Sequence, residues 1–278
     1  MFELDTPLRE APMVYVDVET TGLSVARGDR ICEVAALRVE GGEVRDAYQH
    51  LIDPQHAMSA GARAVHGISD AMLDGAPTFK QVVGDMIDLL EGAVFVGHNA
   101  PFDLDFVSSE VRRSGHDMPP TVALDTLRLS RRTFRAKSYA LGALARGLQV
   151  EVSGRAHRAM VDVLLTRGVM ERIIEAQSQE GCTTVGDYMR LQGGALRWGG
   201  LAPFDVPPII RDALDSQGFL YIRYRSETGQ ETERLVRPLG VSERNGQVLL
   251  LTHCLLRDAQ RTFRLDRIVD VEMVASFD

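Results

Sequence analysis

Apolar and polar positions alternate from Met13 to Glu19, with Val14, Val16 and Val18 on one side and Asp17 and Glu19 on the other. That period of two predicts a half-buried strand. Two β-branched runs, Ile31–Val39 and Val44–Ile52, flank Gly41-Gly42, a two-residue hairpin signal, so the chain should open as a three-stranded antiparallel meander. The period then lengthens. Helices are predicted over Ser59–Val65, Phe79–Leu90 and Pro101–Ser114, the last with proline in its first turn, and short strands over Ala93–Val96 and Val122–Asp125. Leu127–Phe134 and Tyr139–Arg146 read as helices. A long helix runs from about Ala156 to Ala176 on an apolar stripe of Val161, Leu164, Leu165, Val169 and Ile173. The order predicts an α/β domain, a mixed sheet flanked by helices.

Periodicity weakens after residue 177. Gln177–Phe204 holds six glycines and the sole tryptophan, Trp198, and reads as a connecting segment with one short helix. Beyond it, Ile209–Leu214 is a brief helix. Phe219–Arg225, Glu233–Arg237, Val248–His253, Arg261–Leu265 and Ile268–Val274 read as strands, with turns at Thr228-Gly229 and Asn245-Gly246. Five short strands predict a small β-barrel. The expected division is residues 1–177, a linker over 178–206, and a second domain over 207–278.

Composition narrows the class. With 45% hydrophobic and 25% charged residues, the 278-residue chain is neither disordered nor fibrous. No apolar run is long enough for a membrane span, and Met-Phe-Glu-Leu-Asp lacks the bases and apolar stretch of a secretory signal. Cys32, Cys182 and Cys254 are too scattered for a disulfide framework or a paired-cysteine zinc site. A soluble cytoplasmic protein is expected, with no membrane partner. The net charge of −8 argues against a nonspecific coat for long duplex DNA. Residues 181–278 carry 12 bases and 13 acids, so the excess of acid lies in the first domain.

Against that background a few acids occupy inward positions. Asp17 and Glu19 share one strand face; alone, an Asp-x-Glu pair is more often just an exposed strand face. Asp103 follows His98-Asn99-Ala100-Pro101-Phe102 and has Phe106 and Val107 as helical neighbours, so it faces the sheet, whereas Asp105 points away and should be solvated. Asp162 sits on the stripe of Ala159, Leu165 and Val169, with His157 five residues earlier. Inward carboxylates need partners. Four of them suit two hard divalent ions, Mg²⁺ or Mn²⁺, which in pairs promote phosphodiester cleavage. His157 is placed to take the proton of an attacking water. Arg128, Arg131, Arg132, Arg135 and Lys137 crowd five bases into ten residues, by pattern a solvated helix face.

Three motifs occur in order: Val16-Asp17-Val18-Glu19-Thr20-Thr21-Gly22-Leu23, Gly97-His98-Asn99-Ala100-Pro101-Phe102-Asp103, and His157-Arg158-Ala159-Met160-Val161-Asp162. With Val65-His66-Gly67-Ile68 and Leu124-Asp125-Thr126, they make residues 13–176 resemble the DEDDh 3′–5′ exonucleases of the ribonuclease-H-like fold, in particular the proofreading exonuclease subunits of bacterial DNA polymerase III. The resemblance implies Asp17, Glu19, Asp103 and Asp162 as ligands of two divalent metal ions and His157 as general base. It puts Thr20, Thr21, Gly22 and Leu23 on the terminal nucleotide, with Leu23 against its base. His66, His98, Asn99 and Phe102 fall on the substrate side by the same likeness.

Residues 207–274 resemble a WYL domain, an Sm/SH3-like barrel, through Ile222-Arg223-Tyr224, Arg237-Pro238-Leu239-Gly240 and Arg261–Ile268, although Val248-Leu249-Leu250 stands where that family has Trp-Tyr-Leu. Arg237, Arg261, Arg264 and Arg267 are its candidate nucleic-acid contacts. The expected function is a metal-dependent 3′–5′ exonuclease that releases nucleoside monophosphates from single-stranded or frayed DNA in repair or proofreading. The rivals are an RNA exonuclease and a non-catalytic nucleic-acid- or ligand-sensing regulator. A proofreading role would need a polymerase partner, which no residue of this chain names.

Overall fold

The computed structural model describes residues 3–119, 121–152, 158–196, 207–216, 218–244, 247–257 and 259–274. It divides into two units, Met1–Gly200 and Leu201–Asp278. In the first, the meander is β1 (Met13–Thr20), β2 (Ile31–Glu40) and β3 (Glu43–Leu51). Helices α1 (Ala60–His66), α2 (Asp70–Leu73) and α3 (Phe79–Leu90) follow. Then come β4 (Val94–Gly97), α4 (Ala100–Arg113), β5 (Val122–Asp125), α5 (Thr126–Thr133), α6 (Leu141–Gly147), α7 (Ala159–Ser178) and α8 (Val185–Leu191). The sheet order is β3-β2-β1-β4-β5, with β1 antiparallel to β2 and parallel to β4. It is the mixed sheet that the pattern predicts.

Alternation along β1 assigns its residues to two cores. Val14, Val16 and Val18 pack with α3 and α4, through Met86, Leu104 and Val107. Met13 and Tyr15 face the other side and pack with α7 and α8, through Val169, Ile173 and Tyr188. Asp17 and Glu19 continue the parity of Met13 and Tyr15, so the strand aims both carboxylates at the face on which α7 lies.

The linker reading of 178–206 meets a difference. α7 runs on through Ser178, and α8 is capped by Thr184, whose Oγ1 accepts the Asp187 N–H while Asp187 Oδ2 accepts the Thr184 N–H. Val185 and Tyr188 are fully buried in the first core. The Gln192 amide accepts the Asp125 N–H at 2.9 Å and donates to the Ala123 carbonyl at 3.0 Å, tying this segment to β5. The short helix expected in this segment is α8; its docking into the first core rests on tertiary contacts that a glycine-rich composition does not show.

In the second unit, α9 (Pro208–Ser216) precedes β6 (Phe219–Arg225), β7 (Glu231–Arg244), β8 (Gln247–Cys254), β9 (Ala259–Arg264) and β10 (Ile268–Val274). All pairings are antiparallel, in the order β10-β6-β7-β8-β9. The closed barrel expected from the strand count is not formed: among the described residues β9 and β10 are the ends of an open sheet. The long β7 pairs with β6 through its first half and with β8 through its second, shifting register between Pro238 and Gly240. Instead of closure, α9 covers the apolar face, setting Ile210 and Ala213 on Leu220, Ile222, Val236 and Phe263. No described helix is long and apolar enough to cross a membrane.

Candidate active site

Oxygens of Asp17, Glu19 and Asp162 all lie within 4.8 Å of one another. β1 supplies the first two and the first turn of α7 the third. Asp103, in the first turn of α4, is 3% exposed and accepts the Val18 N–H through Oδ1 at 3.1 Å, which fixes it against the same strand. Its approach depends on Gly97: a Cβ there would stand 3.0 Å from Ala100 Cα and 3.3 Å from Asp103 Oδ2. Asp105 is half-buried and lies outside this group.

Carboxylates so placed resist joint ionisation. Burial, then the charges of Asp103, Asp162 and Glu19, push Asp17 well above the carboxylate range. Burial likewise raises Asp103, and burial with Asp162 beside it lifts Glu19 to about 8. An all-oxygen acidic set that repels itself in this way fits hard divalent cations rather than zinc.

A fifth acid, missed in the sequence, explains why one carboxylate in the neighbourhood stays charged. Glu33 on β2 stands opposite Glu19 in register and is fully buried. Burial opposes its charge, but Arg158 Nη2 at 2.8 Å and Nε at 3.0 Å, Gln49 Nε2 at 3.0 Å and the Ala159 N–H at 3.3 Å outweigh it, holding Glu33 below its ordinary value. Glu33 therefore clamps the start of α7. The only trace of it in the sequence is an acid at an inward position of the apolar run Ile31–Val39.

The Thr20–Leu23 turn is held from below. Thr20 Oγ1 donates to the Gly22 carbonyl at 2.6 Å, and Thr21 Oγ1 accepts the Arg30 N–H at 3.0 Å. Arg30 in turn grips Glu110 of α4, with Nη2 at 2.7 Å from Oε2. A Cβ at Gly22 would collide with the Asp29 carboxylate. Thr20 and Thr21 are buried, whereas Leu23 is 85% exposed.

The other residues expected on the substrate side differ in exposure. His66 is buried; its Nδ1 accepts the Ile68 N–H at 3.0 Å and its Nε2–H points to the Thr20 carbonyl at 3.3 Å, so it braces the turn. His98 spans Thr126 Oγ1 and the Tyr139 carbonyl, each at 2.9 Å. Asn99 is exposed, with φ of +71°, and its N–H donates to Asp125 Oδ1 at 2.9 Å. Phe102 is half-buried against Phe106. His157 lies outside the described residues.

In the second unit, Arg264 forms a two-bond pair with Asp266, at 3.0 and 2.7 Å, and Arg267 meets Glu227 at 3.0 Å. Arg237 and Arg261 are exposed. Arg264 and Arg267 thus already hold an acid.

A family model described as Exonuclease matches residues 14–170, and one described as WYL domain matches residues 205–273. The chain is 35% identical over 179 residues to the 3′-5′ exonuclease DinG of Bacillus subtilis (strain 168), a match covering 64% of this chain and 19% of that protein. It is 36% identical over 186 residues to the DNA polymerase III subunit epsilon-like protein of Rhodobacter capsulatus, covering 66% of this chain and 26% of that one. Exonuclease X, solved in complex with 5′ overhanging duplex DNA, matches with a TM-score of 0.50 and 26% identity, covering 65% of this chain and 99% of that one. The chain spans about a fifth to a quarter of the length of these two curated relatives.

Proposed function

Since this chain belongs to the exonuclease family, with a WYL domain after its exonuclease segment, we propose that it shortens nucleic acid from the 3′ end by metal-assisted phosphodiester hydrolysis. One observation carries the reading: carboxylates from β1 and α7 converge within 4.8 Å, with Asp103 secured beside them. Asp17, Glu19, Asp103 and Asp162 would hold two divalent cations, Mg²⁺ or Mn²⁺. Such cations supply Lewis-acid stabilisation of phosphoryl oxygens and make water acidic enough to attack near neutral pH.

The chain's own residues do the rest. Leu23, projecting from a turn that is hydrogen-bonded beneath, offers an apolar surface to the terminal base. The Glu33–Arg158 pair keeps the start of α7 in place, so that Asp162 stays with Asp17 and Glu19. His157, next to Arg158 in sequence, takes the proton of the attacking water. We assign single-stranded or frayed DNA as the preferred substrate, in repair or proofreading, because one curated relative is named for a DNA polymerase III subunit and exonuclease X was solved with DNA. The WYL domain adds grip on longer strands through Arg237, Arg261, Arg264 and Arg267, with Asp266 and Glu227 displaced from the last two.

The test is incubation with 5′-labelled single-stranded DNA, duplex DNA and RNA in Mn²⁺, Mg²⁺ or EDTA. A ladder that shortens from the 3′ end, fastest on single-stranded DNA and absent in EDTA, is expected. Preference for RNA would reassign the substrate. No cleavage in any metal would favour a non-catalytic sensing role.

A further inference from the structure

The first unit is acidic, yet Thr126–Val150 carries six bases (Arg128, Arg131, Arg132, Arg135, Lys137 and Arg146) and no acid. Arg128, Arg131 and Arg132 fall at i, i+3 and i+4 on α5, opposite the buried Leu129 and Ser130, so they form one outward stripe, and Arg135 just beyond the helix extends it. All six are exposed. Arg128 meets Asp125 at 3.5 Å, but among the described residues no carboxylate pairs with the other five. Cations on folded surfaces usually alternate with acids, as Arg167–Glu171 and Arg172–Glu175 do on α7. Five bases left without such partners make a surface of one sign.

Contacts within the first unit link this surface to the carboxylate cluster. Leu129 of α5 and Leu144 of α6 pack in the same core as α7, on the side of the sheet to which Asp17 and Glu19 point. Arg131 lies over the Tyr139 ring, 5.9 Å from its centre, and the Tyr139 carbonyl receives His98. Asp125, partner of Arg128, holds the Asn99 N–H at the entry to α4. Gly97 is next in sequence to His98 and passes directly beneath Asp103. A continuous set of contacts therefore leads from the acids to the basic stripe.

We infer that the α5–α6 face is the track for the sugar–phosphate backbone of a single strand whose 3′ end sits at the acid cluster. The inference rests on the exonuclease reading for what happens at that end, and it adds the direction in which the rest of the strand runs. The ligand chemistry is a flexible polyanion with several phosphates in succession, which a row of cations on one helix face can follow. Affinity should then rise with strand length and fall with salt, by a slope of about 0.7 per phosphate neutralised.

The experiment uses the full chain and fluorescence anisotropy with labelled 30-nucleotide and 4-nucleotide oligothymidylates in EDTA, so that binding is read apart from cleavage. Arg132→Glu combined with Arg135→Glu should weaken 30-mer binding at least tenfold at low salt and lower the salt slope by about 1.4. Binding of the 4-mer and hydrolysis of the p-nitrophenyl ester of thymidine 5′-monophosphate in Mn²⁺ should change less than twofold. The control, Arg112→Glu with Arg113→Glu on α4, alters net charge equally on the other side of the sheet and should leave the 30-mer slope intact. An unchanged slope in the α5 variant, an equal loss in the control, or a loss on the ester as large as on the 30-mer would each overturn the track. A wild-type chain that binds the 30-mer through this stripe yet cleaves nothing in any metal would keep the track and reject the exonuclease reading.

Discussion

At the scale of single residues, the site is set by the cost of crowding charge. Burial and mutual repulsion raise Asp17, Asp103 and Glu19 above their ordinary values. The folded, metal-free protein thus binds more protons than the unfolded chain between the ordinary carboxylate range and about 8, the raised value of Glu19. Stability must therefore fall as pH rises through that window. Melting followed in EDTA from pH 5 to 8.5 should show this decline, and Asp17→Asn should reduce it by removing one like charge while abolishing cleavage. Added Mn²⁺ should raise the wild-type melting temperature most at the alkaline end. A flat metal-free profile would contradict the crowding. Gly97→Ala tests the packing of the same acids: its Cβ would press on Ala100 and Asp103, which overpacking data value at about 1–3 kcal/mol. Cleavage should fall further than stability, because Asp103 has to move.

Among elements, the decisive contact joins β2 to α7. Glu33 and Arg158 are 125 residues apart, and the pair has side-chain exposures of 1% and 32%. Breaking a buried pair costs about 3–5 kcal/mol, and the exposure of Arg158 to water brings Glu33→Gln nearer to about 2 kcal/mol. The variant should keep its fold, measured by urea denaturation, yet lose activity out of proportion, because the first turn of α7 carries Asp162. Arg158→Lys retains the charge without the two-pronged donor and should fall between wild type and Glu33→Gln. If Glu33→Gln cleaves at the wild-type rate, the clamp does not position the acid.

On the scale of the whole chain, the two units differ in how they finish their cores. The first draws on Val185 and Tyr188 of α8 and on Gln192, all beyond the end of the catalytic motifs. A chain ending at Gly200 should melt in one cooperative step and cut short oligonucleotides. One ending at Gln177 should be markedly less stable, since it removes Val185 and Tyr188 from the first core and unpairs the Asp125 N–H. Equal melting temperatures for the two would return 178–200 to the role of a simple connector. In the second unit, Asp266→Asn should strengthen binding of long strands if Arg264 is a contact, because it releases that guanidinium.

Much of this protein is legible in its sequence because the information is local. Periods of two and 3.6 predicted β1, β5, β6, β10 and α3 within a residue or two, and the parity of β1 sent Asp17 and Glu19 to one face. Pro101 and the apolar neighbours of Asp103 and Asp162 marked both acids as inward. What periodicity cannot report is which distant residue meets which. The Glu33–Arg158 clamp, the burial of His66 and the docking of α8 all depend on contacts between segments far apart in the chain, which no window of eighteen residues contains. The open second sheet follows the same logic: five strands were countable, but whether the last pairs with β9 or β6 is decided by how β7 bends and where α9 packs. Local pattern determined the elements and the charges they carry; tertiary packing decided which of those charges are paired, which are crowded, and which face open water.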